Sequence, residues 1–101
     1  MSSTREVLEG TQPQGVDERI AYRLTVTNWG SSPTNVSVVV KDRAGNDVTA
    51  TVTTGSASVA GNVITLPVVH SLTAGVIYRC EVKFTIDGNV LEAYVYIRAE
   101  V

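Results

Sequence analysis

Sulfur is nearly absent from this chain: its 101 residues include one cysteine, Cys80, and one methionine. A single cysteine cannot close an intramolecular bridge, so the fold must hold by burial, and the redox compartment stays open. Histidine is equally scarce, with His70 alone to serve imidazole chemistry. Eight basic against ten acidic residues leave a formal charge of −2. That balance makes no field that would gather a polyanion, so nucleic acid is not an expected partner. No apolar run approaches the about 20 residues of a membrane-spanning helix, and no membrane partner is expected. The opening MSSTREVLEG lacks the apolar stretch of a signal peptide, which implies synthesis in the cytoplasm.

What the chain has instead is β-branched carbon. Eighteen valines and twelve threonines lose rotamer freedom in helices and suit a pleated sheet, so the expected class is all-β. The length fits one small core, carried by residues 18–101, with 1–17 as an arm or edge strand followed by a linker. Within that arm only Arg5-Glu6-Val7-Leu8-Glu9 alternates, and Gly10, Pro13 and Gly15 follow it. From Glu18 the alternation of Ile20, Tyr22, Leu24 and Val26 with polar neighbours predicts a half-buried strand. A second strand is expected over Thr34–Lys41 with Val36, Val38 and Val40 on one side, and a turn over 42–46. A third is expected over Asp47–Thr53 through Val48, Ala50 and Val52. A small hairpin around Ala60-Gly61 follows, its second strand limited by Pro67.

The last hairpin is the most constrained. If Asp87-Gly88 forms a two-residue type I′ turn, Phe84 faces Leu91, Val82 faces Ala93, Cys80 faces Val95 and Tyr78 faces Ile97. All of these lie on one face. The other face sets Lys83 against Glu92, Glu81 against Tyr94 and Arg79 against Tyr96, a charge pair and a cation–π opportunity. Slipping by one residue would bury Arg, Glu and Lys, so the register is strongly specified. Seven or eight short strands with regular turns imply a two-sheet sandwich.

Leu72, Gly75, Tyr78 and Cys80 form a Leu-x-x-Gly-x-x-Tyr-x-Cys run. This stretch resembles the sixth strand of immunoglobulin and fibronectin type III domains, and implies an immunoglobulin-like antiparallel β-sandwich with an N-terminal arm. In a tyrosine corner the Tyr78 ring would go inside and its hydroxyl would bond back to the turn. No cysteine stands on the second strand, where Leu24 is expected inside, so Cys80 is expected to pack as a small hydrophobe.

Catalytic candidates are few. His70, in Val68-Val69-His70-Ser71, reads as a loop histidine, and Cys80, on the inward face, as a buried and inert thiol. Asp42, Asn46 and Asp47 gather oxygen ligands near Gly45, but the EF-hand spacing and its terminal glutamate are missing, so turn chemistry is the reading. Asn35-Val36-Ser37 has glycosylation spacing without a secretory context. Neither Gly61 nor Gly88 precedes a helix that would hold phosphate. No enzyme, cofactor or metal site is expected. Interaction candidates are Tyr94 and Tyr96 on the outward face of the last strand, Trp29 before a loop, and Arg5, Val7 and Leu8 in the arm, which could add to a neighbour's sheet edge or dock at home.

Over nearly its whole length the chain resembles small proteins encoded by tailed bacteriophages and prophages. The resemblance runs through EGTQ and QGVDE (9–12, 14–18), WGSSPT (29–34), GSASV and GNVITLP (55–59, 61–67) and the Leu72–Glu100 segment. It implies a non-enzymatic virion component, first a capsid (head) decoration protein, with a head–tail neck or tail subunit as the alternative. Its partners would be major capsid, neck or tail proteins and further copies of itself, and its location the virion after synthesis in the bacterial cytoplasm. A free carbohydrate- or cell-surface-binding module is the reading from another class.

Overall fold

The structure, a computed structural model, describes the backbone of residues 2–6 and then residues 11–101, apart from the Asn28 side chain. The chain is all-β. Its centre is the antiparallel pair β9 (Ile77–Ile86) and β10 (Asn89–Glu100). Asp87 and Gly88 both have positive φ, 49° and 81°, the type I′ geometry whose twist matches the strands it joins. The register runs from Asn89↔Ile86 to Arg98↔Ile77 and includes all four expected apolar pairs. Tyr78, Cys80, Val82, Phe84 and Ile86 on β9, and Leu91, Ala93, Val95, Ile97 and Ala99 on β10, are all buried. Each large aliphatic or aromatic side chain removed from water in this way contributes about 1.5–3 kcal/mol.

Around this pair the larger sheet is completed by β4 (Thr34–Lys41), antiparallel to β9, and by β1 (Ser2–Glu6) and β2 (Gln12–Gly15), both parallel to β10. The reading of 12–15 as linker is corrected here. Pro13 and Gly15 do not break the strand because it lies at the sheet edge, where a missing N–H or side chain costs little. Val7 and Leu8 lie outside the described residues.

The smaller layer holds two short sheets, one of three strands and one of two, along three stretches of chain. Residues 20–26, including β3 (Arg23–Thr25), pair with 62–69, which hold β7 (Val63–Thr65) and β8 (Val68–Val69). Beyond them lie β5 (Thr53–Thr54), against β8, and β6 (Ser58–Ala60), against β7. Pro67 separates β7 from β8, as expected of a residue without a donor. Leu24, Val26, Ile64, Leu66 and Val69 of this layer close the core over the hairpin. Taking interrupted strands together, the described residues fill seven places in a two-layer sandwich.

One expected strand is absent from the described residues. Over 47–53 the chain makes a single helical turn, α1 (Thr49–Val52), before β5. Its cause is local hydrogen bonding. Asp47 Oδ1 accepts from both Thr49 N–H (3.0 Å) and Thr49 Oγ1–H (2.6 Å), while Thr49 Oγ1 accepts the Val40 amide at 2.8 Å. A side chain that bonds its own backbone two residues away competes with the ladder and here overrides β propensity. Val52 remains buried as the alternation requires, but Ala50 is exposed.

The corner preceding β9 follows the tyrosine-corner expectation. The Tyr78 ring is buried and its hydroxyl accepts the Thr73 amide at 2.9 Å, above Leu72, also buried, and Gly75 at φ 82°. Cys80 packs between Val95 on β10 and Val40 on β4.

Candidate interaction surface

Alternation that buries one face of β9 and β10 turns the other outward. Tyr94 and Tyr96 stand there two residues apart, half-buried, with ring centroids 5.6 Å apart at 75°, an edge-to-face pair. The Arg79 guanidinium lies over the Tyr94 ring, 4.2 Å from its centroid. Arg79 was expected against Tyr96, its direct cross-strand neighbour. Glu81, opposite Tyr94, draws the long side chain diagonally: Arg79 Nε is 3.1 Å from Glu81 Oε2. That nitrogen is covered yet donates no hydrogen bond, so charge and not direction holds the pair. Lys41 Nζ reaches Glu81 from the other side at 3.7 Å. On the same face Arg98 forks onto Glu100, with Nη2 and Nε at 2.9 and 3.2 Å. Such exposed pairs each contribute at most about 1 kcal/mol. Their effect is to hold the aromatic pair in a flat polar frame.

Trp29 is not part of this face. It closes a short 3₁₀ turn (Thr27–Trp29) and stacks on the inward-facing Phe84, centroids 5.8 Å apart and planes at 17°. Gly30 fits beside it because a Cβ there would come within 2.4 Å of Ile86 Cγ2, at a φ of 141°. Arg5 belongs to β1, registered with Ala93. The structure therefore unites Tyr94 and Tyr96 and sets Trp29 at the core.

Gln14 is a structural residue that sequence reasoning missed. Almost wholly buried, it accepts from Tyr22 Oη–H at 2.8 Å through Oε1, and its Nε2 donates to the Val69 and Glu18 carbonyls at 2.8 and 3.0 Å. One amide thereby ties β2 to the smaller layer. Burial, with a smaller push from the Glu18 carboxylate, raises the Tyr22 phenol to about 12, keeping it a donor.

The chemical candidates are engaged elsewhere. Burial, with a smaller push from Glu81, moves the Cys80 thiol up to about 12, far from the thiolate a nucleophile needs. His70 sits between two hydroxyls, Nε2 to Thr54 Oγ1 and Nδ1 to Ser71 Oγ, both 2.7 Å. Asp42 Oδ1 accepts the amides of Asn46 (2.9 Å) and Ala44 (3.0 Å), so its carboxylate closes its own turn. The Asn46 backbone bond is the main cause of its lowered pKa, and Thr49 lowers Asp47 through side chain and backbone. Among the described residues there is no cluster of three or more His, Cys, Asp or Glu side chains able to hold a metal, and no helix long and apolar enough to cross a membrane. Comparison with protein-family models, with curated proteins and with solved structures finds no match to the chain.

Proposed function

We propose that this chain is a non-enzymatic structural component of a tailed-phage virion, in the first place a decoration protein of the head. A neck or tail subunit is the nearest alternative. The observation that carries the reading is the Tyr94–Tyr96 pair, framed by Arg79, Glu81 and Lys41 on the outer face of the β9–β10 hairpin. Tyrosine and arginine are the side chains that concentrate binding energy at protein interfaces, and those anchored on strands lose little entropy on docking. A sheet face presented by a small rigid sandwich suits a subunit bound in many copies, where repetition multiplies weak contacts. Arg79 already covers the Tyr94 ring, a face that a sugar would need for stacking, so a protein partner is the better fit than a carbohydrate.

The fold is read as immunoglobulin-like on its strand partition. Residues 20–26, β5 with β6, and β7 with β8 form one layer, and β4, β9 and β10 form the other, as in that sandwich, with the Tyr78 corner at the expected step. β1 and β2 sit on the second of these layers, beside β10.

Mass spectrometry of purified particles tests the role. The expected result is this chain present in intact virions at a fixed ratio to the capsid protein. Its absence from particles, with the protein abundant in the lysate, would end the proposal.

A further inference from the structure

Among the described residues the smaller layer has an unpaired edge, beside a partly open pocket between the layers. Along 20–26 the even-numbered residues bond inward to the neighbouring ribbon: Leu66 N–H donates to Tyr22 O at 2.8 Å, and Val26 N–H to Asn62 O at 2.9 Å. Leu24 faces Ile64 between them. By the two-residue period of a strand, the backbone N–H and C=O of Arg23 and Thr25 point the other way, toward the outer edge. Among the described residues no group pairs with them. The side chains of Arg19 and Arg23 are exposed, and neither has an ion-pair partner among the described residues.

Immediately inside this edge lies a pocket of about 110 Å³ between the layers. Tyr22, Leu24 and Leu66 line one wall and Val82, Ala93 and Val95 the other, and Gln12, Arg23 and Tyr94 add polar groups to the lining. Ala93, a methyl among larger neighbours on the inward face, accounts for part of the space. The pocket is partly open to solvent, and its aliphatic walls favour an apolar guest over water.

From these two features we infer that the Arg23–Thr25 edge is a docking site for an extended strand of another protein, with one branched aliphatic side chain entering the pocket and acidic residues on either side of it. Each element of that description follows from the site. The unpaired edge selects a backbone in strand conformation, because only that presents donors and acceptors at matching spacing. The residue set opposite Leu24 points between the layers, into the pocket, while its neighbours point outward beside Arg23. An acidic residue there meets a free guanidinium, with the neighbouring Arg19 adding to the positive field. Tyr94 also lines the pocket, so this site adjoins the Tyr94–Tyr96 face, but it rests on the edge and the pocket and holds whether or not the chain is part of a particle.

The opposite border of the sandwich shows what a guarded edge looks like. There, Val40 N–H and C=O, which also point outward, are taken by Thr49 Oγ1 at 2.8 Å and Val48 N–H at 2.9 Å. A bulge between Thr34 and Ser37, with Asn35 at φ 52°, disturbs the remainder of that strand. Bulges and side-chain plugs are the usual protection against unwanted strand addition. Arg23–Thr25 has neither.

Amide exchange followed by NMR on the whole protein tests the site, with the blocked peptide acetyl-Thr-Glu-Ile-Glu-Thr-amide as probe at millimolar concentration. In the free protein the Arg23 and Thr25 amides should exchange rapidly, whereas Leu24 should be protected. Peptide should slow Arg23 and Thr25 by about tenfold or more, an effect lost when its Ile is replaced by Ser and weakened when its Glu residues are replaced by Lys. Ala93→Leu, which fills the pocket from within, should abolish the response. If that variant fails to fold, Thr25→Pro, which removes one outward donor and no ladder bond, should weaken it. No slowing with the peptide, slowing indifferent to these changes, or protection already present in the free chain would overturn the assignment. Protection that appears with rising protein concentration alone would assign the edge to a second copy, and would overturn it as well.

Discussion

The β9–β10 hairpin and the segments flanking the sandwich obey different rules. In the hairpin every second residue is buried and every cross-strand pair follows from one turn, so apolar periodicity alone sets the structure. In β2 and in 42–52 a few polar side chains decide: Gln14 fastens a strand with little apolar surface, and Asp47 with Thr49 turns an alternating segment into a helical turn. Periodicity governs where a partner strand is close in sequence. Where a short oxygen-bearing side chain can reach its own backbone first, local bonding governs instead.

The largest effect of a single substitution should fall in the hairpin. Phe84→Ala removes the ring at the centre of the core and the platform under Trp29, and should cost about 3–5 kcal/mol in chemical denaturation while quenching or shifting Trp29 fluorescence. Gln14→Leu comes next. It preserves bulk but removes the acceptor of the Tyr22 hydroxyl and the donor to the Glu18 carbonyl, while the Val69 carbonyl keeps only the Ile20 amide, for an expected loss of about 1–3 kcal/mol, with Gln12–Gly15 amides losing exchange protection before those of the hairpin. Thr49→Val keeps the β-branch and deletes the hydroxyl. It should cost about 1 kcal/mol and release the Val40 amide to exchange, and if 47–53 turned into a regular strand in this variant, the competition between bonding and period would be demonstrated directly.

The same division shows in how the sequence could be read. The hairpin register, the Asp87-Gly88 turn, the Tyr78 corner and the burial of Cys80 were all legible, because an alternate-residue pattern has only two settings and one of them buries charge. Gln14 was illegible: a buried glutamine breaks the apolar period, and its partners at 18, 22 and 69 are remote or disguised. Parallel pairing of β1 and β2 with β10 joins opposite ends of the chain and leaves no local signal. Trp29 was read as surface since its neighbours in sequence are polar, whereas its platform lies 55 residues later. Of the candidate surface, Tyr94 and Tyr96 were visible as outward residues, but the diagonal placement of Arg79 depends on where Glu81 stands across the ladder.

Titration should separate the two regions with the smallest perturbation. Asp42 and Asp47 have folded pKa values below their usual 3.8, so their stabilisation is complete above about pH 4 and is lost as pH falls through the still lower folded values. Cys80 and Tyr22 have folded values raised to about 12. Their contribution is complete below their unfolded values and is lost as pH rises, Cys80 first, from its usual 9.0 upward. Acid should therefore loosen the 42–49 turn ahead of the hairpin, and alkali should act on the core. Cys80→Val should flatten the alkaline limb and leave the acid limb unchanged, with stability followed by denaturation across pH.

We propose the outward tyrosine pair as the surface by which this chain joins a larger assembly. Quantitative mass spectrometry of particles produced with Tyr94→Ser/Tyr96→Ser protein in place of the wild type measures it most directly. The account expects the double variant to fold with an unchanged hairpin exchange pattern and to be depleted from particles by tenfold or more, about the loss that follows when interface anchors worth 1.4 kcal/mol or above are removed. Equal occupancy of wild type and double variant on purified particles would contradict it.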